Sequence, residues 1–355
     1  MQTDDLAERL FGSMLGTFDV LSIYLGEQLG LYAVLQAGVS VTPVQLAHQA
    51  GINPRYAREW LEQQTVSGLL EVDDPAQPAD ERLYHLPAEH AEVLTNTDSL
   101  AYLTPFARVV AAAAVQLPDL LQAYRTGGGV PWSQYGDAMR TGQGDANKAL
   151  FLQLLGSQWL PAVPGLDSAL RRGGRVADVG CGEGWSSIAM ALSYPEITVE
   201  GIDLDPESTE AATRHAQQYG VADRVSFRTA EAGGSPGEER AYTLVTAFEC
   251  VHDMANPVEV LAAMRRMVAP KGHVLVMDER VGETFTGSGD PVEQLFYGMS
   301  LFICLPDGMS HSPSVGTGTV MRPATLRGYA EQAGFGGAKV LPIDNDLFRF
   351  YSLTQ

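Results

Sequence analysis

The stretch Val176–Gly184 reads Val-Ala-Asp-Val-Gly-Cys-Gly-Glu-Gly, and it decides the fold of the chain around it. An apolar run containing one acid leads into three glycines at alternate positions, and an apolar helical pattern follows at 188–192. This order predicts a strand, a tight glycine loop and a helix. Such a loop lets a ligand approach the backbone closely and directs the amide groups of a helix N terminus at it.

Asp178 separates two classes of cofactor that use glycine loops. Dinucleotide-binding folds have a similar loop, so the glycines alone do not decide. A nicotinamide cofactor would place its negative pyrophosphate here, where a carboxylate has little use. A ligand with an ammonium group would favour an acid at this position, and S-adenosyl-L-methionine carries one. The stretch therefore resembles motif I of the class I S-adenosylmethionine-dependent methyltransferases.

Strands and helices alternate from Arg175 onward, which predicts an α/β fold with a mostly parallel sheet and helices on both faces. After the strand at the glycine loop, the expected strands are 197–202, 225–228, 242–248, 273–277 and a final hairpin of 339–343 and 347–353. The resemblance implies that they form the Rossmann-like, seven-stranded methyltransferase sheet of a catalytic domain at 170–355.

An acid at the end of the second strand supports the same cofactor. Asp203 lies 23 residues beyond Gly180, where a carboxylate can accept hydrogen bonds from ribose hydroxyls. Glu231 resembles the family position that contacts the adenine amine, although a solvated loop carboxylate is the alternative interpretation. The residues expected to bind the cofactor are Asp178, Gly180, Gly182, Asp203, Leu204, Ala230, Glu231 and Phe248.

The fourth strand delivers Glu249 to Asp253 to the carboxyl edge of the sheet, where open α/β folds hold their chemistry. His252-Asp253-Met254 resembles the His-Asp-Trp stretch of plant-type O-methyltransferases, which implies that His252 is the general base. Histidine suits this task because its ordinary pKa lies near neutrality. A histidine that caps a helix terminus is the alternative. Met254 replaces the family's tryptophan.

In the same family a carboxylate after the fifth strand positions the histidine or the acceptor. Asp278 and Glu279 lie 26 and 27 residues past His252, and the sequence leaves open which of them faces the site. A third acid has no clear counterpart, since Glu331 is the only acid between 322 and 334 and comes late. An amine substrate held by Glu249 or Asp278 is a further alternative.

Residues 1–95 are expected to form a winged-helix domain. Two capped helices begin at Thr42-Pro43 and Asn53-Pro54, and a hairpin follows at 69–86. From Ser40 to Thr95 there are three arginines and nine acids, a net charge of −6, which argues against DNA binding. The resemblance implies instead a homodimer in which the apolar helix near Phe18 packs against its copy.

Residues 96–169 are expected to form a helical connector that doubles as a substrate wall, and 281–321 a cap over the acceptor, because long loops in compact domains are usually functional. Trp132 and Tyr135 are expected on a loop within the connector, and a helix is predicted for 291–302 in the cap. No metal is expected, because Cys304 and His311 are only two possible ligands and no carboxylate ligand accompanies them. The expected acceptor-binding residues are Trp132, Tyr135, Glu249, Phe296 and Tyr297.

The bulk composition limits the partners. The formal net charge is −20, which argues against nucleic acid and anionic membrane surfaces as partners. Three cysteines without metal-ligand spacing indicate reduced thiols and a cytoplasmic location. The first residues lack the basic character of a signal peptide, and the longest apolar stretch, at 109–115, is too short to span a bilayer.

These features predict methyl transfer from S-adenosyl-L-methionine to a small apolar or aromatic metabolite, at oxygen, with His252 as the base. Two alternatives from other classes stay open. One is a fold relative that binds the cofactor without giving up its methyl group. The other is a ligand-responsive winged-helix regulator that binds DNA.

Overall fold

A computed structural model describes residues 2–36, 38–233 and 239–354. The chain divides into two compact units, Met1–Ala114 with Thr141–Ala149 and Val115–Arg140 with Leu150–Gln355. The expected connector at 96–169 is therefore shared between the units. No α-helix within the described ranges is both long and apolar enough to cross a membrane.

Helices and strands account for most of the described chain. The α-helices are α1 (Thr3–Gln28), α2 (Leu31–Val34), α3 (Pro43–Ala50), α4 (Pro54–Val66), α5 (Ala88–Leu94), α6 (Thr104–Val115), α7 (Leu117–Thr126), α8 (Trp132–Leu150), α9 (Leu166–Arg171), α10 (Trp185–Ser193), α11 (Pro206–Gln218), α12 (Pro257–Met267), α13 (Pro291–Met299), α14 (Leu305–Met309) and α15 (Pro323–Gln332). The π-helical segments are Phe151–Trp159 and Ser300–Cys304. The strands are β1 (Ser40–Val41), β2 (Glu71–Val72), β3 (Tyr84–His85), β4 (Gly174–Val179), β5 (Ile197–Asp203), β6 (Val225–Thr229), β7 (Tyr242–Phe248), β8 (Val268–Glu279), β9 (Gly337–Val340) and β10 (Phe348–Thr354).

The first unit contains the predicted helix, helix and hairpin. Thr42 accepts a hydrogen bond from the backbone of Gln45 and caps α3, and Asn53 caps α4 in the same way. Strands β2 and β3 form the hairpin, and β1 pairs with β3, so the strand order is β1-β3-β2. Helix α1 leaves a row of apolar side chains exposed, and 67% of the Phe18 surface is accessible.

The second unit is organised by the large sheet. Among the described residues seven strands form it, in the order β6-β5-β4-β7-β8-β10-β9. The five strands β4 to β8 run parallel to one another, and β10 is antiparallel to both β8 and β9. The predicted parallel sheet with an antiparallel final hairpin is confirmed. Strand β8 begins at Val268, earlier than expected, because it continues to pair with Tyr242 across an irregularity in the ladder.

The sheet is buried on both faces, as a parallel sheet requires. Trp159 and Ile188 belong to the apolar layer on one face, and Leu261 and Leu326 belong to the layer on the other. Neighbouring parallel strands all end at one edge, so β4, β5, β7 and β8 bring the residues that follow them together. The glycine loop, Asp203, Glu249 and Glu279 lie at these four ends.

Two local predictions are wrong. Trp132 begins α8 and does not lie on a loop, although Gly136, with a φ of 75°, kinks the helix one turn later. The cap helix begins at Pro291 as predicted, but it continues past Phe302 as the π-helical segment and α14. Leu305-Pro306 does not stop it because Pro306 lies in the first turn of α14, where its missing N–H costs little.

The arginines of the winged helix are held in ion pairs. Arg55, Arg58 and Arg82 pair with Glu59, Asp80 and Glu62 respectively, so all three arginines of the segment 40–95 already have acidic partners. We therefore expect no binding to duplex DNA at about 0.15 M salt, where charge attraction is the main source of nonspecific affinity. Fluorescence anisotropy with a labelled duplex would measure this. A rise in anisotropy that disappears on adding salt would contradict it.

Candidate functional site

In the glycine loop between β4 and α10, Gly180 and Gly184 are closely packed and Gly182 has open space beside it. Gly180, Gly182 and Gly184 all have left-handed φ angles, of 69°, 49° and 82°. A Cβ atom at Gly180 would lie 2.6 Å from the sulfur of Cys250, and one at Gly184 would lie 2.6 Å from the Phe227 ring. Nothing lies within 4 Å of a Cβ atom built at Gly182. Backbone at Gly182 is thus accessible to a ligand.

Asp178 lies beneath this loop and does not face it as an open carboxylate. It is 1% exposed and accepts hydrogen bonds from Ser186 at 2.6 Å, Ser187 at 2.7 Å and Thr246 at 2.7 Å. Burial raises the pKa of Asp178, and the three hydroxyls oppose that shift. These contacts give Asp178 a structural role, and the direct ammonium contact expected from the sequence stays a prediction. Asp178 ties the first turn of α10 to β4 and β7.

Asp203 connects the end of β5 to the loop. Its Oδ2 accepts a hydrogen bond from the Gly182 backbone at 2.8 Å, and its Oδ1 accepts one from Asp205 at 2.9 Å. Burial raises the pKa of Asp203, and these backbone donors lower it again in part. Each oxygen keeps a second lone pair for a ligand hydroxyl. The neighbouring Leu204 side chain is 57% exposed and offers an apolar surface.

The other expected cofactor residues lie at nearby strand ends. The backbone of Ala230 donates to the Asp203 carbonyl at 2.8 Å, and the Glu231 side chain is exposed just past β6. Phe248 differs from the expectation, because its ring is 5% exposed and packs 5.8 Å from the Phe151 ring in the core. An open backbone at Gly182, a carboxylate with unused lone pairs and an exposed Leu204 fit the sugar and base of S-adenosyl-L-methionine.

His252 forms the second part of the site and is almost completely buried, at 2% exposure. Its Nδ1 atom lies 2.9 Å from Asp278 Oδ1 and 2.9 Å from Glu279 Oε2. Nδ1 carries at most one hydrogen, and the geometry directs it to Asp278. Asp253 Oδ2 lies 3.9 Å from Nε2 on the other side of the ring. Both Asp278 and Glu279 thus face the histidine, whereas the sequence left open which of them does.

The charges of this cluster depend on one another. Burial lowers the pKa of His252, but the carboxylates of Glu279, Asp278 and Asp253 raise it by more, so the net shift is well upward. Burial raises the pKa of Glu279 well above its usual value. Burial alone would also raise the pKa of Asp278, but the charge and hydrogen bond of His252 and a hydrogen bond with Glu279 hold it below its usual range. Glu279 therefore carries a proton most easily, and Asp278 is the ionised partner.

Glu249 follows β7 in a strained conformation. Its φ is 54°, a left-handed value that is rare for a residue with a side chain, and its backbone donates to Met277 at 2.8 Å. Such strain costs about 1–3 kcal/mol and tends to occur at functional sites. The half-buried side chain starts from the same edge as His252, which fits the expected acceptor contact.

Two of the expected acceptor residues, Trp132 and Tyr135 of the connector, contact the cap. The Trp132 backbone donates to Asp307 Oδ1 at 2.7 Å, and the Tyr135 hydroxyl donates to the Phe302 carbonyl at 2.7 Å. Tyr135 is thus a buried structural contact of the cap. In α13, Phe296 is buried, while Tyr297 is partly exposed and its hydroxyl accepts from Arg322 at 3.3 Å.

Sequence reasoning missed two residues of the cap that lie at the site. The Cys304 sulfur lies within 4.8 Å of a His252 ring nitrogen and an Asp253 carboxylate oxygen, and the Asp307 carboxylate interacts electrostatically with His252 and Asp203. His311, the other possible ligand in the cap, is exposed, whereas Cys304 is buried. No local pattern pairs Cys304 with a histidine 52 residues earlier in the chain, so only the fold reveals this contact.

Comparisons with known proteins agree with the geometry. The family described as "Methyltransferase domain" matches residues 170–296, and the "Rv2258c-like winged HTH domain" matches residues 18–96. A ubiquinone biosynthesis O-methyltransferase of Ralstonia nicotianae is 31% identical over 185 residues, which are 52% of this chain and 72% of that protein. The chain spans about two fifths of the length of the first curated relatives that it matches.

Solved structures share the fold along the whole chain. A mitomycin 7-O-methyltransferase has a TM-score of 0.75 at 18% identity, covering 99% of this chain and 98% of that one. Human N-acetylserotonin methyltransferase in complex with SAM has a TM-score of 0.69 at 17% identity, covering 100% of this chain and 99% of that one. The two-unit architecture and the seven-stranded sheet are those of O-methyltransferase structures.

Two glycines of the loop provide a matched pair of substitutions. Gly180→Ala and Gly182→Ala both place a side chain at a left-handed φ, which costs about 1–2 kcal/mol. Only Gly180→Ala also forces a Cβ atom against Cys250, and overpacking costs about 1–3 kcal/mol more. Urea unfolding should therefore show a clearly larger loss of unfolding free energy for Gly180→Ala. Equal losses would show that the loop is not packed as described.

The charge cluster around His252 predicts its titration. The imidazole of His252 should titrate above the ordinary value of 6.5, because the carboxylates favour the protonated ring. Asp278→Asn should lower the midpoint, because it removes the ionised carboxylate beside the ring, whereas Glu279→Gln exchanges a proton-bearing group for a neutral amide and should lower it less. NMR of the ring signals against pH measures this, and His252→Gln assigns the resonance. A midpoint at or below 6.5 in the unsubstituted protein would contradict the arrangement.

Proposed function

We propose that this chain, which belongs to the S-adenosylmethionine-dependent methyltransferase family, transfers a methyl group to an oxygen of a small apolar or aromatic acceptor. The observation that carries the proposal is the His252 cluster at the carboxyl edge of β7 and β8, the same edge that holds the glycine loop of β4. Base and cofactor loop are thereby brought to one side of the sheet. The family's cofactor, S-adenosyl-L-methionine, supplies an electrophilic methyl group when bound.

The residues around the loop would hold the cofactor. Gly182 offers open backbone, Asp203 offers carboxylate lone pairs to the ribose hydroxyls, and Leu204 offers an apolar surface to the base. Ala230 and Glu231 would lie beside the adenine. Asp178 contributes indirectly, because it keeps α10 and the loop in register with the sheet.

His252 would remove the acceptor proton. A hydroxyl becomes a competent nucleophile as its proton leaves, so a base near it lowers the barrier. Asp278 accepts the Nδ1 hydrogen of His252. The lone pair of the neutral ring is then on Nε2, the ring nitrogen that points away from Asp278. Since the pKa of His252 is raised, the neutral form gains population as the pH increases. Glu279 adds a proton-bearing neighbour that keeps Asp278 ionised.

An oxygen acceptor of apolar character is favoured by the site and by the relatives. Phe296, Tyr297 and Trp132 supply aromatic surface on the elements around the cap, and Glu249 adds a polar group at its strained position. The ubiquinone biosynthesis and mitomycin enzymes named above are O-methyltransferases by their descriptions. Transfer to oxygen in this chain follows the same chemistry of a base beside a hydroxyl.

The exposed face of α1 supports a homodimer as the working form. Phe11, Met14 and Phe18 are each more than half exposed, and a row of apolar side chains of this kind favours contact with another apolar surface. A second copy of the same helix offers such a surface with matching chemistry. Pairing of the N-terminal units through α1 is therefore part of the proposal, as is a cytoplasmic location.

The proposal is tested by incubating the protein with labelled S-adenosyl-L-methionine and a metabolite extract, followed by mass spectrometry. His252→Ala should lose the methylated product by about 10²–10⁴-fold, the usual contribution of a general base, while calorimetry shows unchanged affinity for S-adenosylhomocysteine. His273→Ala, which replaces a half-buried histidine in the middle of β8, is the matched control and should keep the product.

Two outcomes would overturn parts of this proposal. Unchanged turnover in His252→Ala would remove the base from the mechanism. Consumption of the acceptor without formation of S-adenosylhomocysteine would identify a fold relative that uses the cofactor without transferring its methyl group.

A further inference from the structure

The face of His252 that an acceptor must reach is covered by the cap. The Cys304 sulfur lies within 4.8 Å of a ring nitrogen of His252, and the Gly318 backbone donates to the His252 carbonyl at 2.9 Å. A Cβ atom at Gly308 would lie 2.8 Å from the Asp253 carbonyl oxygen, so α14 rests directly on the residue after His252. With 2% of its surface exposed, His252 is enclosed in this arrangement.

The covering segment is held from its outer side by the connector. Tyr135 donates from its hydroxyl to the Phe302 carbonyl at 2.7 Å, and Asp307 accepts from the Trp132 backbone at 2.7 Å. The Val130 backbone donates to Pro306 at 2.9 Å, and the Tyr124 hydroxyl donates to Leu301 at 3.1 Å. All four hydrogen bonds end on 301–307, and the Tyr135 and Asp307 bonds are the shortest of them.

The covering segment itself is locally irregular. Ser300–Cys304 is π-helical, a form that is rare and occurs mostly at functional sites. Leu301 and Phe302, whose carbonyls accept the two tyrosine hydroxyls, lie within it. Side chains outside the helix therefore stabilise a backbone conformation that is otherwise unfavourable. A segment of this kind can rearrange when a few outside bonds break.

We propose that 300–309 is a lid, latched by Tyr135 and Asp307, which opens to admit the acceptor to His252 and closes over it. This deepens the proposed function, since it rests on His252 being the group that the acceptor meets. Tyr135 and Asp307 act as positioning residues through the lid. Closure brings Cys304 and the apolar side of the segment to the reaction, which excludes water from it.

The thiol of Cys304 reports on opening without any knowledge of the acceptor. It is 7% exposed, so it can react with N-ethylmaleimide only when the lid has moved away. Cys181 belongs to the glycine loop, is 6% exposed and lies outside the lid, so its labelling reports on opening of the sheet domain. Peptide mass spectrometry of the full chain measures both rates in the same sample, without cofactor or acceptor.

Tyr135→Phe removes one hydroxyl donor and should increase the labelling rate of Cys304 about fivefold, the factor that corresponds to one net hydrogen bond. Asp307→Ala should have an effect of the same size or larger, while Asp307→Asn keeps an acceptor oxygen for Trp132 and should restore the slow rate. Tyr194→Phe is the matched control, because it removes a hydroxyl that donates to Asp167 at 3.1 Å, far from the lid in sequence. It should leave the Cys304 rate unchanged.

Three results would overturn the proposal that 300–309 is a lid. Cys304 could react in the unsubstituted protein as fast as in the unfolded chain, or its rate could stay the same in Tyr135→Phe and Asp307→Ala. Equal acceleration of Cys304 and Cys181 would show general destabilisation in place of local opening. Since the assay needs no turnover, a failure of the lid is distinguishable from a failure of methyl transfer.

Discussion

A buried carboxylate at Asp178 is the interaction on which the cofactor loop depends. Taking an ionised carboxylate out of water is costly unless hydrogen bonds compensate for it, and three hydroxyls do so here. Ser186 and Ser187 come from the first turn of α10, and Thr246 comes from β7. One side chain thus fixes a helix and two strands relative to each other. The glycines between them can then present open backbone without the loop collapsing.

The His252 cluster applies the same principle to catalysis. Two carboxylates at the end of β8 meet a histidine that follows β7, and all three are buried. If both carboxylates were ionised beside one ring, the uncompensated charge would destabilise the fold. A proton on Glu279 with an ionised Asp278 and a histidine of raised pKa reduces that cost. The arrangement that stabilises the fold is therefore also the one that orients the base.

The cap and the connector act on this cluster from outside. Donors on α7, α8 and the segment between them hold 301–307, and the opposite side of that segment touches His252 and Asp253. Substitutions that touch neither cofactor nor acceptor can consequently change access to the base. Trp132 and Tyr135, which the sequence suggested as acceptor contacts, are connected to the site through this segment.

The sequence by itself determined the parts of the protein that depend on local pattern. Alternating apolar runs predicted the strands, the glycine spacing predicted the loop after β4, and the positions of Asp203 and His252 followed because residues after parallel strands share one edge. The tertiary structure alone decided which side chains face each other. Asp178 accepts hydrogen bonds from hydroxyls, and both Asp278 and Glu279 contact His252. Trp132 donates to Asp307, which lies 175 residues further along the chain. Such contacts join segments that are distant in sequence, and their partners are chosen by packing and by the cost of burying charge, which no local pattern records.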